Sequence, residues 1–285
     1  MDLPFTADEF LAAVPATFAR PENARQVRAK PRASSLAGPA RCQWYDMQGY
    51  ENEVPYAGGP DMALTQEQGR IVEDLVVAVL EHMGYTVECR QVELSSESFA
   101  TGHPDGGILT GPGIPEDLTV GLEVKHYGRY SYEKILKSGF MDAEPDVVAQ
   151  ILTYGIDLGW DACLVAVVSQ DASSVRSDMT RNAKVKNKEN QWADKDAMNP
   201  KVQLFMVDLR PLKTTLGPML AKRAAWLSKC KSPPDPECDP RADPKTGEPV
   251  FPCSYCEHRQ RCLDDGPGGP KAPRLPWMEE SAWKA

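Results

Sequence analysis

The sequence lacks any uninterrupted apolar run of about 18 residues, so no segment reads as a membrane-crossing helix. It also lacks a basic excess. Against 41 Asp+Glu stand 32 Lys+Arg, a formal net charge of −9 with a pI near 5.1. That balance excludes nucleic-acid binding by bulk charge alone and leaves room only for a local basic groove. Positive charge is missing where a signal peptide needs it, because Met1 to Phe18 carries Asp2, Asp8 and Glu9. The expectation is therefore a cytoplasmic protein. No internal repeat is present.

What is there suffices for a folded core. Hydrophobic residues make up 41% of the 285, which excludes a wholly disordered chain. At roughly 150 residues per domain, the length allows one large domain or a core with an attached module. Eight cysteines in a reducing compartment do not read as a disulfide framework. They read as core residues, metal ligands or cluster ligands.

Residues 1–33 form a lead-in with an amphipathic piece, Asp8 to Phe18, and a basic linker of Arg20, Arg25, Arg28, Lys30 and Arg32. A segment 34–64 follows, through the Gly/Pro-rich turn Pro55 to Pro60. The first strong helix begins at the N-cap Thr65, with apolar residues recurring from Ile71 to Met83, and stops at Gly84. Strands are expected at Tyr85 to Leu94, Asp105 to Leu109 and Thr119 to Lys125. A helix is expected over Asp146 to Leu158 behind Pro145, then strands at Ala162 to Val168 and Val202 to Val207, then a helix over Pro211 to Lys229. Between the last two strands lies a polar excursion, Ser169 to Pro200. The core, 65–229, thus reads as an α/β fold with a mixed central sheet flanked by helices. Residues 230–266 are rich in Pro, Asp and Cys and need a staple, and 267–285 form a tail.

Gly102-His103-Pro104-Asp105-Gly106, followed by Glu123-Val124-Lys125, carries the most chemistry. Glu123 and Lys125 are two apart on a strand and point to one face. If the strands pair as a hairpin, Asp105 joins them. Two carboxylates so placed suit hard divalent cations, which take oxygen ligands. A lysine beside them can orient or deprotonate an attacking water and offset charge on a phosphate in transit. Alone, an Asp after Pro is a turn residue and an E-x-K triplet is a solvated strand face. The apolar Val120, Leu122 and Val124 argue instead for a packed strand.

This pattern resembles the PD-(D/E)XK nuclease superfamily and its restriction-endonuclease-like core. Gln150 and Tyr154, stacked at i and i+4 on the next helix, resemble the signature of its RecB-like exonuclease branch. The resemblance implies an Mg²⁺- or Mn²⁺-dependent deoxyribonuclease that hydrolyses phosphodiester bonds. Its catalytic residues would be Asp105, Glu123, Lys125, Gln150 and Tyr154. Its metal ligands would be Glu73, Asp105, Glu123 and the Val124 carbonyl. Glu73 stands where four-cysteine members commonly carry His, a departure from the pattern.

Cys253-x-x-Cys256-x5-Cys262 is a compact thiolate set whose fourth ligand could be Cys42, Cys230, Cys238 or His258. CRISPR-associated RecB-like exonucleases and AddB-type helicase–nucleases carry one cysteine upstream and three near the C-terminus. That resemblance implies a [4Fe-4S] cluster on Cys42, Cys253, Cys256 and Cys262, joining the two ends of the core. The alternative is a non-catalytic DNA-binding or adaptor subunit whose tail is stapled by zinc on Cys230, Cys238, Cys253 and Cys256. Cys89 and Cys163 read as buried strand thiols. His103 reads as shaping its turn or touching substrate, and His126 as a surface residue or a phosphate contact.

Lys125, His126, Arg129, Lys134 and Lys137, interleaved with Tyr127, Tyr130 and Tyr132, suit phosphate contacts and base stacking. Lys184, Lys186, Lys188 and Trp192 could extend that surface, or form a solvated loop. The partner expected by analogy is single-stranded DNA or DNA ends, in recombination, phage replication or CRISPR adaptation.

Overall fold

Alternation along one central strand organises the molecule. In the computed structural model, β3 (Val120–Tyr127) directs Val120, Leu122 and Val124 to one face of a sheet. Gly121, Glu123 and Lys125 take the other face, as the two-residue period requires. The structure describes residues 27–50, 60–170, 202–236 and 258–278, with the side chains of 60–63 and 259 left aside. Most of the N-terminal lead-in, the expected Pro55 to Pro60 turn except Pro60 itself, nearly all of the polar excursion, and Cys238, Cys253 and Cys256 lie outside the described residues.

Five strands form one sheet in the order β1-β2-β3-β4-β5: β1 (Thr86–Glu88), β2 (Gly106–Thr110), β3, β4 (Ala162–Ser169) and β5 (Val202–Asp208). β1, β2 and β3 pair antiparallel, β3 and β4 parallel, and β4 and β5 antiparallel. The sheet is mixed, as expected. One face is covered by α2 (Pro60–His82), whose Val77 and Leu80 pack on Val87, Leu109, Val120, Leu122 and Ala166. That helix stops short of β5, where Val202, Leu204 and Met206 remain exposed. Among the described residues, no helix is long and apolar enough to cross a membrane.

The opposite face carries the larger core. α1 (Ala40–Met47), α5 (Pro145–Leu158) and α7 (Gly217–Lys229) pack there against Cys163, Val165 and Val167 of β4. Trp160 lies over Gly121 so closely that a Cβ at that position would meet the indole at 2.2 Å. The described residues also include the short helices α3 (Arg129–Ser138), α4 (Phe140–Ala143) and α6 (Arg210–Thr215). In the tail lies α8 (Arg259–Asp265), with a 3₁₀ turn at Pro276–Met278 after it.

Several boundaries differ from the sequence expectation. α2 starts five residues before Thr65, which lies inside the helix and does not cap it. The strand expected over Tyr85 to Leu94 shrinks to Thr86–Glu88, because Cys89 and Gln91 turn into left-handed backbone at φ 54° and 53°. Cys89 is consequently exposed, against the expectation of a buried thiol, whereas Cys163 is fully buried. The single helix expected over Pro211 to Lys229 is two helices meeting at Leu216. Pro218 has no N–H to continue the ladder from the first into the second.

The described segments on either side of the core meet through α1. Arg41, 2% exposed, donates to the carbonyls of Pro234, Gly266 and Gly268, and its Nη1 reaches the carbonyl and the sulfur of Cys262. Tyr45 donates to Asp265, and His258 Nε2 lies 2.9 Å from Asp46 Oδ1. Arg223 of α7 donates to the carbonyls of Leu36, Gly38 and Pro273, fastening the segment before α1 and the tail to one helix. Cys42 and Cys262 thus sit on two helices, α1 and α8, that these contacts draw together.

Candidate active site

Glu123 and Lys125 leave β3 on the same side, and Lys125 Nζ lies 2.6 Å from Glu123 Oε1. Glu123 is 1% exposed while Lys125 keeps 22% of its side-chain surface, so the pair sits at the floor of an opening. Above it runs α5. Pro145 sits in its first turn and Gly159 at its C-terminus adopts the left-handed conformation. Gln150, four residues before Tyr154, faces the strand. Its Nε2 donates to Glu123 Oε1 at 2.9 Å, and its Oε1 accepts from Lys125 Nζ at 3.2 Å. Gln150 Nε2 also lies 3.1 Å from the Tyr154 hydroxyl, which donates to the His103 carbonyl at 3.3 Å. Every member of the expected E-x-K and Q-x-x-x-Y pairs is therefore joined in one network.

Asp105 enters from the loop before β2. The β2–β3 hairpin shifts register between Gly106 and Leu109, and Asp105 Oδ2 accepts the Val124 N–H at 2.7 Å. Val124, the expected carbonyl ligand, is thereby tied to Asp105 through its N–H. Burial holds the Asp105 carboxyl well above the usual range, and the charges of Glu123 and Glu73 push it further. Lys125 and the Val124 N–H work against them. Burial disfavours the Lys125 ammonium, yet Glu123 and Asp105 outweigh it and raise its pKa. In this arrangement Lys125 Nζ pairs with Glu123 and donates to Gln150 Oε1.

Glu73 projects from α2 and is 8% exposed. Arg90 Nη2 donates to its Oε1 at 2.8 Å, and Gln91 Nε2 lies 3.3 Å from each carboxylate oxygen. Among the described residues, no three His, Cys, Asp or Glu side chains already form a cation cage. Asp105 and Glu123 nevertheless fit a hard cation. Glu123 Oε2 is buried without a hydrogen-bond partner among the described residues, beside a second carboxylate that resists ionisation. A buried acceptor left open in this way is costly unless something completes it.

Arg90 and Gln91 were not visible as site residues in the sequence. Their one trace is the doublet Gly106-Gly107, since glycines at a strand start mark close backbone approach. The aromatic run beside the site differs from expectation. It forms α3, in which Tyr132 is buried, while Tyr127 donates to Glu144 at 3.1 Å and Lys134 to the Ala143 carbonyl. Of the three tyrosines, only Tyr130 is open for stacking, at 84% exposure. His126 Nδ1 is buried with no partner among the described residues, and burial lowers the ring's pKa. His103 is exposed at the mouth.

No family model matches the sequence, and no curated protein matches it either. Among solved structures it is similar to an alkaline exonuclease from Laribacter hongkongensis, at 13% identity and a TM-score of 0.41. That alignment covers 78% of this chain and 92% of the exonuclease. It is also similar to a phage-related exonuclease from Haemophilus somnus 129PT, at 12% identity and a TM-score of 0.35. There the coverage is 70% of this chain and 92% of the other. Likeness at these values assigns neither family nor activity.

Proposed function

We propose that the protein is a metal-dependent DNA nuclease that hydrolyses phosphodiester bonds, acting as an exonuclease on single-stranded or end-opened DNA. The observation that carries this reading is the Glu123 carboxylate: its Oε1 is held by Lys125 and Gln150, while its buried Oε2 has no hydrogen-bond partner among the described residues, beside the second carboxylate of Asp105. Asp105, Glu123, the Val124 carbonyl and Glu73 would hold one or two Mg²⁺ or Mn²⁺ ions, which supply Lewis-acid charge to the phosphoryl oxygens. Lys125 presents an ammonium to the phosphate side of the opening. Gln150 fixes Glu123 and Lys125 against each other, and Tyr154 fixes Gln150 to the His103 loop.

The same proposal includes a structural [4Fe-4S] cluster on Cys42, Cys253, Cys256 and Cys262. Its support is that α1 and α8, bearing the first and last of these cysteines, are already fastened by Arg41, Tyr45 and Asp46. Four thiolates suit such a cluster.

The test is digestion of end-labelled DNA, open or end-blocked, with and without Mn²⁺, by protein purified anaerobically. Wild type should degrade open DNA only with metal, and Asp105→Ala and Lys125→Ala should not. Equal digestion by wild type and both variants would sink the nuclease reading. Iron near four per chain with absorbance near about 400 nm supports the cluster; zinc without iron refutes it.

A further inference from the structure

The turn after β1 is the strained part of the site. Cys89 and Gln91 both hold left-handed backbone, which residues bearing a Cβ keep only where their surroundings impose it. The imposing partner is β2. A Cβ at Gly107 would meet Cys89 Cβ at 2.5 Å and the Cys89 carbonyl at 2.7 Å, so the turn lies directly on that glycine. On an extended strand, residues 90 and 91 would point to opposite faces. Here the turn sends both toward α2. Arg90 Nη2 bridges Glu73 and Asp74, at 2.8 Å and 2.6 Å, and the Gln91 amide is 3.3 Å from both oxygens of Glu73. The backbone N–H of Gln91 donates to the Pro104 carbonyl at 2.9 Å, one residue before Asp105.

One residue therefore touches both arms of the acidic site. We infer that Gln91 is a positioning residue: its backbone holds the Asp105 loop while its amide holds the Glu73 carboxylate. The separation of the two acids is set by this turn. The inference rests on the reading of Asp105, Glu123 and Glu73 as a cation site, and it adds a residue that touches no cation itself. Arg90 balances the charge of Glu73 without fixing its distance from Asp105, since its side chain is shared with exposed Asp74.

The probe is Mn²⁺ binding to the full chain, read as loss of the free-ion paramagnetic resonance signal, alongside thermal unfolding in EDTA. Gln91→Gly keeps the left-handed backbone and removes only the amide. It should weaken Mn²⁺ binding roughly tenfold or more, the usual cost of losing a ligand's supporting contact, with an unfolding temperature equal to or above wild type. In a Glu73→Gln background, Gln91→Gly should change Mn²⁺ binding no further, because the effect runs through Glu73. Unchanged binding in Gln91→Gly, or a full loss in the Glu73→Gln background, overturns the inference while the cation site stands. A wild-type protein that binds no Mn²⁺ overturns the site and the inference together.

Discussion

Gln150 donates to Glu123 across 2.9 Å, tying a helix on one side of the sheet to the central strand beneath it. The bond matters because Glu123 is almost sealed from water and has few groups that can satisfy it. Gln150→Ala should lower DNA hydrolysis by about 10- to 100-fold, the range for supporting contacts in metal sites, mostly in kcat. Gln150→Glu would set a further carboxylate against Glu123, beside Asp105, and should lower the unfolding temperature as well. Steady-state kinetics and thermal melts on the two variants check both outcomes.

Lys125 supplies the one cation within 2.6 Å of Glu123 among the described residues. Lys125→Met should abolish hydrolysis and cost about 2–3 kcal/mol of stability. The figure lies below the about 3–5 kcal/mol for breaking a fully buried pair, because Lys125 keeps 22% exposure. Urea unfolding in EDTA at neutral pH measures it. A stability equal to wild type would show that Glu123 finds its partner elsewhere.

The raised pKa of Asp105 has a definite sign in stability. Its folded value lies above its unfolded value, so the folded state binds the proton more tightly. Without metal, stability should fall as pH rises past the ordinary carboxylate value of about 3.9 and through the elevated folded value, and recover as pH is lowered again. Asp105→Asn can still accept the Val124 N–H while removing the charge. In EDTA it should melt higher than wild type at neutral pH and lose this component of the slope. A melting profile parallel to wild type across that window would contradict the burial argument.

Arg41 predicts what holds the tail. Arg41→Met leaves the carbonyls of Pro234, Gly266 and Gly268 without their donor. The Pro234 bond is buried and the other two are part-buried, so the loss should be about 1–3 kcal/mol, mostly from the orphaned Pro234 carbonyl. Limited proteolysis should then cut the chain beyond residue 230 while a fragment spanning the sheet survives. Equal resistance in wild type and variant would show that Arg41 is dispensable to the tail.

Much of this arrangement was legible in the sequence, for a reason that names its limits. Glu123, Lys125, Gln150 and Tyr154 are set by period two on β3 and period 3.6 on α5, and both periods are local. Consecutive strands lie side by side in the sheet, but among them only β2 and β3 are joined by a short connection. Arg90 and Gln91 were hidden because their role depends on a backbone reversal that no apolar period records. The cause lies partly 16 residues away, at Gly107, where the absent Cβ admits the turn. The basic run after β3 misled for a related reason. Tyr132 and Ile135 belong to a helix face whose burial depends on helix packing, and charge counting cannot reveal that.

The position of β3 has a consequence for how the molecule opens. β3 is hydrogen-bonded on both sides, and its pairing with β4 runs without a break from Val120↔Ala162 to Tyr127↔Ser169. Its amides should exchange with solvent only when the whole domain unfolds. β1 has three residues on the sheet edge, and the turn that follows it holds Glu73. That region can open while the centre stays closed. The acidic cluster therefore straddles two cooperative units: Glu123 belongs to the last part to come apart, and the support of Glu73 to the first.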